Sequence, residues 1–461
     1  MKQNKDTVRL TFVGDLLCQA DMRKSYETEA NTYDFTPVFE NIRKYLKDAD
    51  YVIGNLETPI AGKDLQYVGT DGKFKGGFNA PEAYLQAVVD SGFNLLTTAN
   101  NHCMDRGLDG LKQTIDALES AGIDHIGTYK NPNEKNRPFI KEINGVKIAF
   151  LTYTFGINNN VHPSYAKEIE ADYINLLSRP EMQKYEDYWH TFPSIHRLWP
   201  PKFLRKVLMK DDFLHDADSI SKQIITDIQQ SKEAGAEIVV LIPHMGVEFT
   251  RYPLKFARDM VNVWFDAGAD IIIGGHPHVL QPMEFRKIQD NSGINRTGYV
   301  IYSLGNFAAN GDSYWPTKEC YTSIILNLII ERDEHSHIPY VKDISYTPTI
   351  IHTIEIDNIK KSFTISIIDL YKQAVDDNND RLCKELIEAN SRLLSDLHWG
   401  KVPASDIKEY YSFTMDENAE PHRVSRISDL KYTVSRLPHL FFRILRPVFK
   451  LISPIYHKIR G

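Results

Sequence analysis

Imidazoles, carboxylates and carboxamides recur in this chain directly after short apolar runs, and such donors together can hold a divalent cation. The densest case is DIIIGGHPHVLQP, residues 270–282, where three isoleucines lead through two glycines to His276 and His278. Pro277 disfavours a helical His276, so the spacing predicts extended chain with both imidazoles aimed at one point. EIVVLIPHMGVEF places His244 and Glu248 after another apolar run. LTFVGD ends at Asp15, and YVIGNLETP carries Asn55 with Glu57 beyond it. NLLTTANNH ends at Asn100, Asn101 and His102, and YVIYSLGNF reaches Asn306. A lone loop histidine usually just bonds a neighbour, but this many strong donors at one edge call for a cation. The mixed set suits Mn²⁺, Fe²⁺ or Zn²⁺ better than Ca²⁺ or Mg²⁺, which avoid imidazole. The chemistry offered is Lewis-acid activation of water, or clamping of an anionic oxygen, for hydrolysis.

For the donors to meet, the apolar runs must be strands sharing a carboxyl edge, where open α/β sheets bind their ligands. Runs at 8–17, 51–54, 94–98, 147–153, 237–242, 270–273, 299–304 and 323–330 read as strands. Helical patterns lie between them at 37–47, 82–91, 108–121, 220–234 and 254–267. The last three stop at Gly122, Gly235 and Gly268, a common helix end. This alternation predicts an α/β layered domain over residues 1–350. The interval 157–219 is rich in aromatics and prolines and reads as an insertion, either a lid or substrate wall or an accessory packing module. A charged helical extension is expected over 351–429, followed by a basic amphipathic tail over 430–461.

The chain has 461 residues, 42% of them hydrophobic and 25% charged, as ordinary globular proteins have. From Leu430 onward there are seven basic residues and no acid, against a net charge of −7, so the preceding body carries about −14. That balance argues against a nucleic-acid partner. Four scattered cysteines, Cys18, Cys103, Cys320 and Cys383, form no metal or disulfide pattern. No signal-peptide core or membrane-length apolar run is evident, which fits a cytoplasmic location. In the tail, Phe441, Ile444, Leu445, Val448 and Ile452 form a stripe with Arg443, Arg446 and Lys450 in its gaps. Such a segment suits the anionic inner face of a cell membrane, the other reading being packing on its own domain or a partner subunit.

In order, GD, GNLE, ANNH, HMGVE, GGHPHV and SLGNF resemble the CapA-type poly-γ-glutamate capsule biosynthesis proteins, a divergent branch of the calcineurin-like metallophosphoesterases. The resemblance covers residues 8 to 330. It implies a four-layer αββα sandwich holding one or two divalent ions at its strand-end loops. It assigns metal-ligand roles to Asp15, Asn101, His244, His276 and His278, and makes His102 the group that protonates a leaving group or steadies the transition state. Leu17 stands where the parent superfamily has a histidine, and Asn55 where it has a bridging aspartate. Glu57 is the carboxylate expected to replace that bridge. Asn55, Asn100, Glu248 and Asn306 are expected to support the ligands or the substrate, and Arg106 and Lys75 to be either anion contacts or exposed charges. The implied activity is metal-dependent hydrolysis of a phosphoester or amide in an anionic polymer or its precursor. The alternative is a non-catalytic, metal-containing, polymer-binding component of a capsule machine with membrane-protein partners.

Overall fold

Ile271, Ile272 and Ile273 are all buried, although successive strand residues point to opposite faces. Such a strand must be covered on both sides, and the computed structural model shows by what. It describes residues 7–69, 77–135, 137–158, 172–177, 217–253, 255–289, 295–311, 315–400 and 406–414. Lys75, the tail over 430–461 and most of the interval 157–219 lie outside these residues.

The chain begins with β1 (Thr7–Leu16), β2 (Glu27–Glu29), β3 (Thr32–Tyr33), β4 (Tyr51–Leu56), β5 (Leu95–Thr97) and β6 (Asp124–Ile126). Next come β7 (Phe139–Ile143), β8 (Val146–Thr154), β9 (Ile238–His244), β10 (Ile271–Ile273), β11 (Leu280–Gln289) and β12 (Asn295–Leu304). The set closes with β13 (Asn306–Ala308), β14 (Thr322–Arg332), β15 (Pro339–Ile356), β16 (Ile359–Ser366) and β17 (Tyr411–Ser412). One sheet runs β16-β15-β14-β1-β4-β5-β6, with β13 beside β1 and β17 beside β15. The other runs β11-β12-β10-β9-β8-β7. β1, β4, β5 and β6 are parallel, as are β8, β9, β10 and β12. The carboxyl ends of β1, β4, β5, β9, β10 and β12 lead to the polar residues picked out above.

The two sheets face each other. Leu10, Phe12, Ile53 and Leu95 of the first share one buried cluster with Phe150, Val240, Ile271, Ile273 and Ile301 of the second. On the outer face of the first sheet, Val13, Val52 and Leu96 pack with Phe39, Tyr84, Val88 and Leu118 from its helices. On the outer face of the second, Val239, Leu241, Ile272 and Val300 pack with Ile224, Met260, Trp264 and Phe265, from helices Ala217–Glu233 and Lys255–Ala267. The order is therefore helix, sheet, sheet, helix, and each buried isoleucine of β10 contributes about 1.5–3 kcal/mol.

The expected boundary at 350/351 falls inside a strand. β15 continues to Ile356, and β16 pairs with it antiparallel through a turn at Asp357 and Asn358, whose φ values are 52° and 62°. Two consecutive positive φ angles make the tight hairpin turn that matches strand twist, so 351–366 is sheet, not helix. Helices Ile367–Asp376 and Asp380–Leu397 do follow, but their Leu370, Leu386, Leu393 and Leu394 join the inter-sheet core. No helix among the described residues is long and apolar enough to cross a membrane.

Gly274 lies where β10 leaves the sheet. A Cβ there would stand 2.1 Å from the carbonyl oxygen of Tyr302 on β12. Gly274→Ala is expected to cost about 2–3 kcal/mol, read as a lowered midpoint in thermal melts. An unchanged midpoint would contradict this close approach of the two strands.

Candidate metal centre

Strand register brings the first donors together. Asp15 near the end of β1 lies level with Asn55 on β4 and with Asn306 on β13. His244 ends β9 and is bridged to Gly275. Gly275 leaves room at the centre, since a Cβ there would stand 3.1 Å from Asp15 Oδ1 and 3.5 Å from His244 Nδ1. His276 and His278 then enter, but not from extended chain: their φ values are 95° and 58°. Pro277 keeps His276 out of the helical region as expected, yet the backbone turns into left-handed conformations rather than the predicted extended ones. Such residues cost about 1–3 kcal/mol each and persist only where the surroundings hold them. Packing does so here, with Phe155 4.6 Å from the His276 ring and Trp315 4.9 Å from the His278 ring, centroid to centroid.

Ligand atoms of Glu57, His276 and His278 lie within 4.8 Å of one another, as do those of Asp15, Glu57 and His244. Glu57 belongs to both groups. Asn101 joins them, its Oδ1 2.8 Å from His244 Nε2, with its own NH₂ donating to Asn158 Oδ1 at 3.3 Å. Asn306 Oδ1 accepts from His278 Nδ1 at 2.9 Å while its NH₂ donates to the Cys320 carbonyl. That arrangement places the proton of a neutral His278 on Nδ1 and leaves Nε2 as a ligand atom. Asn55 presents NH₂, not oxygen, to the centre. It donates to Asp15 Oδ1 at 2.8 Å, while its Oδ1 accepts from Thr97 and Asn100. Asn100 also donates to the Leu56 carbonyl and accepts from the His102 amide, tying two loops together.

The other named residues sit at the margin. Leu17 is fully buried in an apolar cluster with Ala309 and Ile351 and offers nothing to an ion. Glu248 is half-buried, and its charge helps hold His278 protonated. Arg106 is not an exposed charge. It is buried and donates to the carbonyls of Gln66, Asp105 and Gly77, tying the turn before helix Gly107–Ser120 to the loop that carries Gln66 and Gly77.

His102 has a partner that the sequence reading passed over. Asp105, fully buried, lies 2.7 Å from His102 Nδ1 and also accepts from the Phe78 amide. Burial alone would lower the His102 pKa, but the Asp105 carboxylate outweighs it and raises it. The signal was an acid three residues beyond the histidine in ANNHCMD. Asn158, against the His102 ring, was the polar residue beyond β8, a strand end not read for donors. Cys18 and Cys103 are buried with thiol pKa values raised by burial, the latter to about 12, and neither belongs to the ligand groups found among the described residues.

The carboxylates test whether these residues fit an ion. Asp15 Oδ2 and both oxygens of Glu57 are buried without a hydrogen-bond partner. A buried carboxylate left in that state is expensive unless a proton or a cation joins it. Burial first, then the charge of Asp15, pushes Glu57 well above the usual carboxylate range. Burial works against a charged His278, but Glu57, Asp15 and Glu248 together raise it to about 9. Burial lowers His244 to about 4, so it stays neutral and able to ligate. The ion-free cluster thus holds extra protons where a divalent cation would fit. Because an ion must displace the His278 proton, its apparent affinity should climb with pH up to about 9 and then level off. Calorimetric titration of Mn²⁺ in buffers of different ionisation heat should show net proton release. Binding without proton release at neutral pH would contradict this picture.

Residues 9–311 match the family described as Bacterial capsule synthesis protein PGA_cap. The capsule biosynthesis protein CapA of Bacillus anthracis is 28% identical over 306 residues, 66% of this chain and 60% of that protein. The PGA biosynthesis protein CapA of Bacillus subtilis is 27% identical over 303 residues, covering 66% and 63%. The chain therefore spans less than two thirds of the length of these relatives. Among solved structures, the calcineurin-like phosphoesterase YfkN of Bacillus subtilis aligns with a TM-score of 0.38 at 15% identity, over 83% of this chain and 99% of that chain. Since the family match runs from Arg9 to Gly311 and includes every strand end that supplies the centre, this chain belongs to the bacterial capsule synthesis protein family PGA_cap.

Proposed function

We propose that the chain is a metal-dependent hydrolase acting on a phosphoester or amide of an anionic capsule polymer or its precursor. The observation that carries this reading is the convergence of Asp15, Glu57, Asn101, His244, His276 and His278, with carboxylate oxygens left unpaired. These residues would hold one or two ions of Mn²⁺, Fe²⁺ or Zn²⁺. A divalent ion there supplies Lewis acidity toward an anionic or carbonyl oxygen.

The protein's own side chains handle the proton. Asp105 fixes Nδ1–H of His102 and favours the imidazolium, so Nε2 is the atom that gives a proton to a departing oxygen or nitrogen. Phe78 stacks on the His102 ring with centroids 4.1 Å apart and limits its rotation. Asn55 holds Asp15 by one oxygen and leaves the other turned to the centre. A second reading, in which the ion only docks a polymer, is favoured by Leu17, which packs among apolar residues where a further ligand would be needed. The basic tail is proposed to seat the protein on an anionic membrane face, and liposome flotation with and without residues 430–461 reads that directly.

With Mn²⁺ loaded, turnover of bis-(p-nitrophenyl) phosphate or γ-glutamyl-p-nitroanilide is expected, and ion binding without turnover of any ester or amide supports the docking reading. A general acid works only while protonated, so its rate falls as pH rises through its pKa. Removing the Asp105 charge lowers that pKa. Asp105→Asn should therefore move the basic limb of the pH–rate profile to lower pH and reduce the rate by about 10- to 100-fold. A basic limb that stays in place would remove His102 from the proton-donor role.

A further inference from the structure

His278 is held from two directions. Asn306 accepts from its Nδ1, and the loop after β9, residues 245–253, packs against its ring. Within that loop the Phe249 ring stacks on the imidazole with centroids 6.1 Å apart. The Phe249 amide donates to the Pro277 carbonyl at 2.7 Å, so the loop also grips the turn that carries both histidines. Glu248 adds its charge beside His278. Phe249 does this from left-handed backbone, with φ at 63°. A residue with a side chain stays in that conformation only where its neighbours enforce it.

The enforcing contacts fall on the next three residues. Gln281 on β11 donates from Nε2 to the Thr250 carbonyl at 2.7 Å. Arg251 donates from Nε to Asp396 Oδ1 at 2.6 Å, and its Nη2 pairs with the same oxygen. The Tyr252 ring stacks on that of Trp399, with centroids 5.9 Å apart and planes 13° from parallel. Asp396 belongs to helix Asp380–Leu397 and is only 2% exposed, and Trp399 follows that helix and meets Tyr302 of β12 edge-on. Asp396 and Trp399 lie beyond Gly311, where the family match ends.

A buried ion pair is a weak source of stability, because desolvation offsets much of the attraction, and its better use is to fix position. Fastening this helix to the sheets needs no such pair, since Leu386, Leu393 and Leu394 already join it to the inter-sheet core. We infer that Arg251 and Asp396 are positioning residues for the metal centre: through this pair the C-terminal helix fixes the 245–253 loop, and the loop fixes His278. The claim rests on the reading of that centre as a cation site, and it makes a segment outside the family match part of the site's support.

The test compares the full-length wild type with Asp396→Asn and with Leu386→Ala, which removes core packing from the same helix and leaves the pair alone. Calorimetry well below the melting midpoints reads Mn²⁺ affinity, and hydrogen exchange reads the loop. Asp396→Asn should weaken Mn²⁺ binding about ten-fold, the lower end of what loss of a supporting contact costs a metal site. It should also speed exchange at the Phe249 amide, and Leu386→Ala should do neither. Arg251→Gln should match Asp396→Asn, and the double variant should bind no more weakly than either, because the two residues act as one unit. Should Asp396→Asn not fold, Arg251→Gln carries the same comparison from the partly exposed side of the pair. Unchanged Mn²⁺ affinity, or an equal loss in Leu386→Ala, would overturn the proposal. If the wild type binds no Mn²⁺, the reading of the centre fails on its own, and exchange decides about the loop. Faster exchange in Asp396→Asn alone then supports the pair as the loop's anchor, and unchanged exchange overturns it.

Discussion

Two carboxylates in the interior of a protein, Asp15 and Glu57, have three oxygens between them without a hydrogen-bond partner, although His278 stands 3.4 Å from Asp15 Oδ2 and His244 3.4 Å from Glu57 Oε1. Much of what surrounds them follows from that constraint. Among the described residues, no Lys or Arg forms an ion pair with either carboxylate. Imidazoles and carboxamides approach them, and two of these are held by a partner that turns a lone pair inward: Asn306 for His278, Asn158 for Asn101. The arrangement is poor as an ion pair, because desolvation keeps His244 neutral and Glu57 inclined to hold a proton. Its ligand atoms nonetheless form two groups close enough to hold a divalent ion.

The fold makes such a cage affordable by bringing the carboxyl ends of parallel strands from two facing sheets to one edge. Burial of β10 on both sides anchors the chain rigidly enough to drive His276 and His278 into left-handed backbone immediately after it. Glycines at 274 and 275 permit the two close approaches this needs, one to a strand carbonyl and one to Asp15. Beyond the ligands, the aromatic rings do double duty. Phe78 and Trp315 steady histidines with one part of their surface and line the apolar region around Leu17 with another. The packing at the sheet edge and the geometry of the histidines are thereby tied to the same few loops.

Much of this was legible in the amino-acid order because buried parallel strands leave a plain signature. The runs ending at Asp15, Asn55, His244 and Ile273 could be read as strands, and period-two logic led to their polar ends. The hairpin of β15 and β16 was missed although its alternation and its Asp357-Asn358 turn were present, because dense charge there resembles a surface helix. The backbone at His276 and His278 was not legible at all. Local sequence argues for extended chain, and only tertiary packing imposes the strained alternative. Arg106 and Asp105 show the same limit from another side. Whether a charged residue faces solvent, a carbonyl or an imidazole ring depends on how the turn at 101–106 folds, which no residue spacing specifies.

The central claim is that unpaired carboxylates define a cation site, and the most direct measurement is elemental analysis of protein purified without chelator, compared with the Glu57→Gln variant. Glutamine keeps the shape of residue 57 but removes the charge shared by both ligand groups. The account predicts near-stoichiometric transition metal in the wild type and its loss from folded Glu57→Gln protein. Metal-free wild type that cannot be loaded by added Mn²⁺, Fe²⁺ or Zn²⁺, or equal metal in both proteins, would contradict it.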